Sequence, residues 1–469
     1  MKTDTICAIS TPRGSGAIAV IRVDGDAAFE MVDHVFQPAG EKGAMASLTP
    51  RKMHFGRIVQ GDQTVDEVLV VPFPAPHSYT GNNMVEISCH GSHYIQQKIL
   101  QLLIDHGASP AEAGQFTMRA FQNGKMDLAQ AEGVADLIAS TSQASHKLAM
   151  QQMRGGFSKE ISQLREKLLS FISLIELELD FSEEDVEFAD RTQLRELLEE
   201  VDGLIHKLLD SFTLGNAIKN GFPVAIAGNT NVGKSTLLNR LLNEEKAIVT
   251  DIAGTTRDVI EDVINIEGVE FRFIDTAGIR DTREKIEAMG IERTFDQIDK
   301  AHIILLLVDA TQSAEAVQST IGKVEQRTRD TGKKLLVLLN KIDQVRHEQD
   351  LQHTEQAIQE VLATDDELLR ISAKDGTNID RLISQLLESI NYSSLQQNEI
   401  MVTNVRHYEA LKRASEAMAR AREGLDSGLS SDLFAMDVRQ VLHYLGEITG
   451  EITTDEILGN IFANFCIGK

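Results

Sequence analysis

The 469-residue chain has no tryptophan, only five tyrosines, eight prolines and three cysteines. Cys7, Cys89 and Cys466 are isolated and odd in number, so no disulfide framework or metal cluster follows from their spacing. Long apolar runs are also missing. The longest, Ile303 to Val308 and Leu335 to Leu339, fall far short of the roughly 20 residues that span a bilayer. The opening Met1 to Ser10 lacks an apolar h-region, so a signal peptide is not expected and the cytoplasm is the expected compartment. Basic charge is scarce: 46 Lys and Arg face 71 Asp and Glu, for a net charge of −25. That excludes a broad electrostatic grip on nucleic acid, leaving a local basic patch or a partner's surface for any such contact. Low-complexity tracts and internal repeats are absent. What remains, 42% hydrophobic and 25% charged, is the composition of a soluble globular protein. Its length suits about three domains, each with its own core.

Residues 1–120 read as a mixed α/β domain. Thr5 to Ile9 and Ala17 to Val23 predict strands around the turn Thr11 to Gly16, and Glu67 to Val71 and Met84 to Ser88 predict two more. The turn's Arg13 among glycines could hold an anion, although a connecting turn is the plainer reading. Pro72 to Tyr79, with three of the eight prolines, reads as a stiff connector or a ligand wall. His90 and His93 flank Gly91, but with Cys89 they supply too few ligands for zinc. Residues 121–215 turn helical, with an apolar stripe at Leu128, Ala131, Val134, Ala135, Leu137 and Ile138. Ser182 to Glu187 reads as a solvated acidic helix start capped by Ser182. Over 216–380 apolar strands alternate with helices, which predicts a doubly wound, mostly parallel sheet. Residues 381–469 are helical again, so the α/β unit is expected to sit inside a helical domain built from both flanks. The fold class expected is α/β plus α.

The chemistry centres on Gly228 to Ser235, a G-x-x-x-x-G-K-S loop between the apolar Val224 to Ala227 and a helical Leu237, Leu238, Leu241, Leu242 pattern. Strand, glycine loop and helix together make a phosphate-binding loop. Gly228 and Gly233 let successive N–H groups converge on an anion at a helix N-terminus. Asn231, Val232, Gly233, Lys234, Ser235 and Thr236 are the expected contacts, with Lys234 reaching the β/γ-phosphates and Ser235 binding Mg²⁺. Three elements follow in order at predicted strand ends: Asp275-Thr276-Ala277-Gly278, Asn340-Lys341-Ile342-Asp343 and Ser372-Ala373-Lys374. The Asp343 carboxylate matches the N1–H and exocyclic amine of guanine, whereas adenine would leave it unpaired at a cost of several kcal/mol (~1–3 or more). Ala373 N–H is expected at guanine O6. The pattern points to GTP.

Thr250-Asp251-Ile252-Ala253-Gly254-Thr255-Thr256 forms the loop after the first helix, with the Thr256 hydroxyl placed to reach Mg²⁺. Ras-like GTPases orient the attacking water with a Gln just after Asp-x-x-Gly. Ile279 holds that position here, so another group is required. Asp281, Glu284 and Glu287 are the polar candidates, and spacing alone does not choose among them.

The chain resembles the MnmE (TrmE) family of tRNA-modification GTPases throughout its length. The resemblance rests on Asp4-Thr5-Ile6 with Gly14-Ser15-Gly16, on Gly114 to Phe121, on Asn123 to Glu132, and on Thr250 to Asp258. Asn404-Val405-Arg406-His407 and the terminal Phe465-Cys466-Ile467-Gly468-Lys469 extend it to the C-terminus. It implies Asn231 as a K⁺ ligand, completed by main-chain groups of Thr250, Ile252 and Thr255, and Glu287 as the catalytic residue that orients water. It further implies a folate-binding-like N-terminal domain that dimerises, with Arg22, Glu86, Lys125 and Lys469 around a tetrahydrofolate derivative of the 5-formyl or 5,10-methylene type. Without the resemblance these residues would read as surface ion pairs. Cys466, in a Cys-x-Gly-Lys tail, is implied in modification of tRNA. The implied protein is a homodimeric GTPase joined to an MnmG (GidA)-type FAD protein in a heterotetramer or larger complex, away from membranes. A regulatory GTPase of the Era/EngA kind, without base chemistry, is the alternative.

Overall fold

The computed structural model describes residues 4–12, 14–40, 43–180, 191–243, 247–249, 262–274, 297–329, 331–363, 366–390, 400–427, 431–463 and 465–468. Two compact units emerge, one of 1–138, 150–201 and 413–469, the other of 139–149 and 202–412. Among the described residues no helix is long and apolar enough to cross a membrane. The acidic Ser182 to Glu187 lies outside the described residues.

The first unit contains a seven-stranded sheet: β1 (Ile6–Ile9), β2 (Ile18–Asp24), β3 (Phe36–Pro38), β4 (His54–Gln60), β5 (Gln63–Phe73), β6 (Met84–His90) and β7 (Ser109–Pro110). Its order is β3-β4-β5-β6-β2-β1-β7, antiparallel except for the parallel β1–β7 pair. Period-two alternation divides its faces. Ala19, Ile21 and Val23 join Val68, Val70, Val85 and Ile87 in a core closed by the helices Ala28–Asp33 and His93–Asp105. Arg22 and Glu86 are cross-strand partners between these apolar positions. The helix Gln115–Gln122 buries Phe116 against Ile6 and Ala8 in a separate cluster.

Helices complete this unit. Leu128–Ala139 begins with a reciprocal cap: Gln130 N donates to Asp127 Oδ1 at 2.8 Å, and Asp127 N to Gln130 Oε1 at 2.9 Å. Along Gly156–Asp180, the buried Ile161, Leu164, Leu168, Ile172 and Ile175 recur every three or four residues. Val438, Val441, Leu445 and Ile448 form the matching stripe on Ser431–Thr449.

The second unit carries β8 (Phe222–Ala227), β9 (Ala247–Val249), β10 (Asp262–Ile266), β11 (Val269–Phe273), β12 (Ile303–Asp309), β13 (Lys334–Asn340) and β14 (Glu367–Arg370). The order is β14-β13-β12-β8-β11-β10-β9, parallel through β11 and antiparallel beyond it. Every residue of β12 is buried, as a strand covered on both faces requires. Val224, Ile226, Leu305 and Leu307 face Leu237, Leu238 and Leu241. Ala225, Ile304, Leu306 and Val337 face Val317 and Ile321 of the helix Ala314–Thr328 and Ile358 of Glu348–Gln359. The helix Ile379–Ser389 lays Leu382, Ile383 and Leu386 into the first of these cores, which therefore runs on past Asp380. The parallel strands direct their carboxyl ends toward one edge, where an open α/β sheet binds ligands.

Candidate functional site

At that edge β8 runs into the glycine loop. Gly228 has φ of +140°, and a Cβ there would collide with the Leu307 carbonyl oxygen. Gly233, at φ +105°, caps the helix Lys234–Leu242 and lies against the Asn340 amide. Both positions need glycine for conformation and for space. Asn231, exposed, takes φ of +60° without being glycine. Val232 is buried, Ser235 is half-buried, and Thr236 is exposed. The Lys234 ammonium folds back over the loop and donates to the carbonyls of Gly228 at 2.5 Å and Asn229 at 3.0 Å. Burial pulls its pKa below the ordinary lysine value.

Asn340 braces this loop to the base pocket. Its side chain is buried, donating from Nδ2 to the Val232 carbonyl at 2.7 Å and accepting at Oδ1 from Ala373 N at 2.9 Å. The Ala373 N–H expected at guanine O6 is thus engaged with Asn340, as a buried N–H must be with some partner. Ser372 Oγ donates to Asp343 Oδ1 at 2.7 Å and accepts from Asp375 N at 3.2 Å, orienting the carboxylate. The Lys374 carbonyl accepts from Arg240 Nη2 at 3.4 Å. Lys341, at φ +67°, sends its ammonium to Asp309 Oδ2 at 2.6 Å.

Asp309 is the residue that motif reading passes over. It ends β12 beside the pocket, is buried, and accepts from Thr311 N at 2.9 Å and Thr311 Oγ1 at 2.7 Å. Burial pushes its carboxyl up, but the bonds from Lys341 and Thr311 outweigh this and hold it below the ordinary aspartate value. A carboxylate immediately after the apolar run Ile303 to Val308 was the available signal.

The sequence elements Thr250 to Thr256, Asp275 to Ile279, Asp281, Glu284 and Glu287 lie outside the described residues, as does Lys469. The structure does bring Asn231 to Thr236, Asn340, Lys341, Asp343 and Ser372 to Lys374 to one edge of the sheet.

On the first unit's sheet, Arg22 Nε donates to Glu86 Oε1 at 2.9 Å. The guanidinium lies 5.4 Å from the Tyr79 ring centroid, and its Nη1 donates to the Gly468 carbonyl at 3.2 Å. Burial raises the Tyr79 phenol's pKa more than its hydrogen bond with Thr117 and the Arg22 charge lower it. Lys125, exposed, donates to the Pro76 carbonyl at 3.0 Å, so the proline loop and the pair flank one region. Cys466 is exposed. Guanidinium, carboxylate and ammonium fit the amide-like edge and carboxylate end of a pterin with a glutamate tail. His90 instead pairs with Asp66, Nδ1 to Oδ1 at 2.7 Å, and among the described residues no group of three or more ligating side chains could hold a metal. The turn before β2 is tied down by Gly16 N to the Gly91 carbonyl at 3.0 Å and Gln96 Nε2 to the Gly14 carbonyl at 3.2 Å.

Comparison with known proteins covers both units. The family model described as the GTP-binding protein TrmE N-terminus matches residues 5–125, and the MnmE helical domain model matches 128–466. The tRNA modification GTPase MnmE of Bacteroides thetaiotaomicron is 52% identical over 469 residues, all of both chains. Proteins of the same name from Christiangramia forsetii and Flavobacterium johnsoniae are each 52% identical, over 99% of this chain and 99% of theirs. Identity of that extent over the whole chain, with family models matching residues 5–125 and 128–466, means that the chain belongs to the MnmE family of tRNA-modification GTPases.

Proposed function

We propose that this chain is a K⁺-stimulated, homodimeric GTPase that works with an MnmG-type FAD protein. Together they install an aminomethyl-type or carboxymethylaminomethyl group at C5 of the tRNA wobble uridine, using a folate one-carbon unit. The observation that carries the reading is that one chain holds both a braced guanine pocket and, in a separate unit, an Arg22–Glu86 pair suited to a pterin.

In the GTPase reaction, converging N–H groups of the glycine loop and the Lys234 ammonium hold the β/γ-phosphates. For this Lys234 exchanges its two carbonyl partners for phosphate oxygens. Asp343, oriented by Ser372, accepts from guanine, and Asn340 holds the two sides of the pocket together. Ser235 and Thr256 are the hydroxyl ligands for Mg²⁺, a hard cation that prefers oxygen. The Asn231 amide oxygen, on the exposed rim of the loop, suits K⁺, with main-chain groups of Thr250, Ile252 and Thr255. A bound monovalent cation supplies positive charge of the kind an arginine finger brings elsewhere. Glu287 orients the attacking water where Ile279 cannot. Hydrolysis then drives conformational change, and Cys466 with Lys469 serves the modification step.

Nucleoside mass spectrometry of tRNA from a strain lacking this chain tests the proposal. The wobble-uridine group is expected to disappear and to return with the wild-type chain but not with Cys466→Ser. Persistence of the group in the deletion strain would overturn the reading. Exchange of K⁺ for Na⁺ is expected to cut GTP turnover by tenfold or more (~1.4 kcal/mol), and equal rates in the two salts would remove K⁺ from it.

A further inference from the structure

The C-terminal tail is built into the first unit. Ile467 pairs with Ala113 across an antiparallel bridge, and Gly114 N donates to the Cys466 carbonyl at 3.3 Å. The Gly468 carbonyl accepts from Ser10 Oγ at 3.0 Å and from Arg22 Nη1 at 3.2 Å. Upstream, the Phe465 ring packs against Phe462 with centroids 5.0 Å apart.

Two glycines make the fit possible. Gly468 has φ of +92°, and a Cβ there would lie 2.5 Å from the Ile9 carbonyl oxygen. Gly114 has φ of +65°, and a Cβ there would lie 2.7 Å from the Phe462 carbonyl oxygen. A side chain at either position is strained in conformation and has no room. The backbone of the tail is therefore pinned while the Cys466 side chain stays exposed.

Arg22 is divided between two partners. Nε serves Glu86 and Nη1 serves the tail, and the side chain is only 17% exposed. Removing the Gly468 carbonyl would deprive a largely buried guanidinium of an acceptor. It would also free the group to leave Glu86 and the Tyr79 ring.

We infer that Gly468 and Ser10 are positioning residues that hold the tail as one wall of the Arg22–Glu86 site, so that ligand binding there and tail docking reinforce each other. The occupant, a pterin-bearing one-carbon carrier, rests on the function proposed above; the docking does not. By linkage, a ligand that favours the docked tail must bind more weakly when the tail is released.

The test uses the full-length chain and 5-formyltetrahydrofolate. Gly468→Ala is expected to speed carboxypeptidase removal of the terminal residues, because a released end is cut faster than a docked one. It should also weaken 5-formyltetrahydrofolate binding by about tenfold in calorimetry, with an unchanged unfolding midpoint. Ser10→Ala, which removes one hydrogen bond, should fall between this variant and wild type in both measurements. In wild type, saturating ligand should slow the trimming. Trimming at the wild-type rate in both variants would overturn the inference. So would faster trimming with undiminished binding. Faster trimming in the variants, with no binding by wild type, would uphold the docking and remove the folate reading alone.

Discussion

Lys341, at positive φ just past the buried strand β13, has its side chain held by Asp309. The ammonium meets Asp309 Oδ2 at 2.6 Å, while Thr311 fixes the other carboxylate oxygen twice. Because the Asp309 carboxyl titrates below its ordinary value, its contribution is present above the normal aspartate range and is lost as pH falls through the lowered value. Asp309→Asn preserves the shape and removes the charge. It is expected to raise the KM for GTP by about tenfold (~1.4 kcal/mol) with kcat little changed. Lys341→Met should do much the same, and the double variant should be no worse than either, since both remove one interaction. Additive effects in that cycle would show that Asp309 acts on something other than Lys341. Motif reading reaches Asn340, Lys341 and Asp343 because their pattern is local in sequence. It passes over Asp309 and the Asn340–Ala373 bond because those contacts span 32 and 33 residues.

At the scale of elements, legibility follows burial. The parallel strands β8, β12 and β13 are continuous apolar runs because helices cover both faces, and they contain the runs Val224 to Ala227, Ile303 to Val308 and Leu335 to Leu339 that the sequence shows. Strands β3 and β4 escaped notice for the opposite reason. His54–Gln60 alternates buried and exposed positions, exposes Phe55, and carries Gly56 where a Cβ would strike Gln37 and the Phe36 ring. Glycine inside a strand pattern reads as a break, although here it is required by the neighbouring strand's close approach. The tail's hydrogen bond to Arg22 is not legible in the residues themselves, because Arg22 and Gly468 are 446 residues apart in the chain; only the family resemblance puts the tail's Lys469 with Arg22. The helix Ile379–Ser389 gives a quantitative check on its place in the sheet's core. Leu386 has no exposed surface, so Leu386→Ala is expected to destabilise the second unit by ~2–5 kcal/mol. Chemical denaturation followed by far-ultraviolet circular dichroism measures this, and a loss below about 1 kcal/mol would place the helix outside that core.

For the whole molecule, the net charge of −25 bears on how a family of tRNA-modifying GTPases engages a polyanion. Each phosphate neutralised by Lys or Arg releases condensed counterions, which steepens the salt dependence of binding. A chain with 71 acidic and 46 basic side chains has no general surplus for this purpose. On the function proposed above, the FAD partner contributes most of the phosphate contacts, and this chain the nucleotide-driven movement and the one-carbon site. Filter binding of tRNA across a salt series checks this division. The chain alone is expected to bind weakly with a shallow slope, of about one to two released ions. The mixture with the partner should bind tightly with a slope several ions steeper. If the isolated chain instead gives the steeper slope, its own surface carries the tRNA, and the acidic composition conceals a local basic patch that outweighs it.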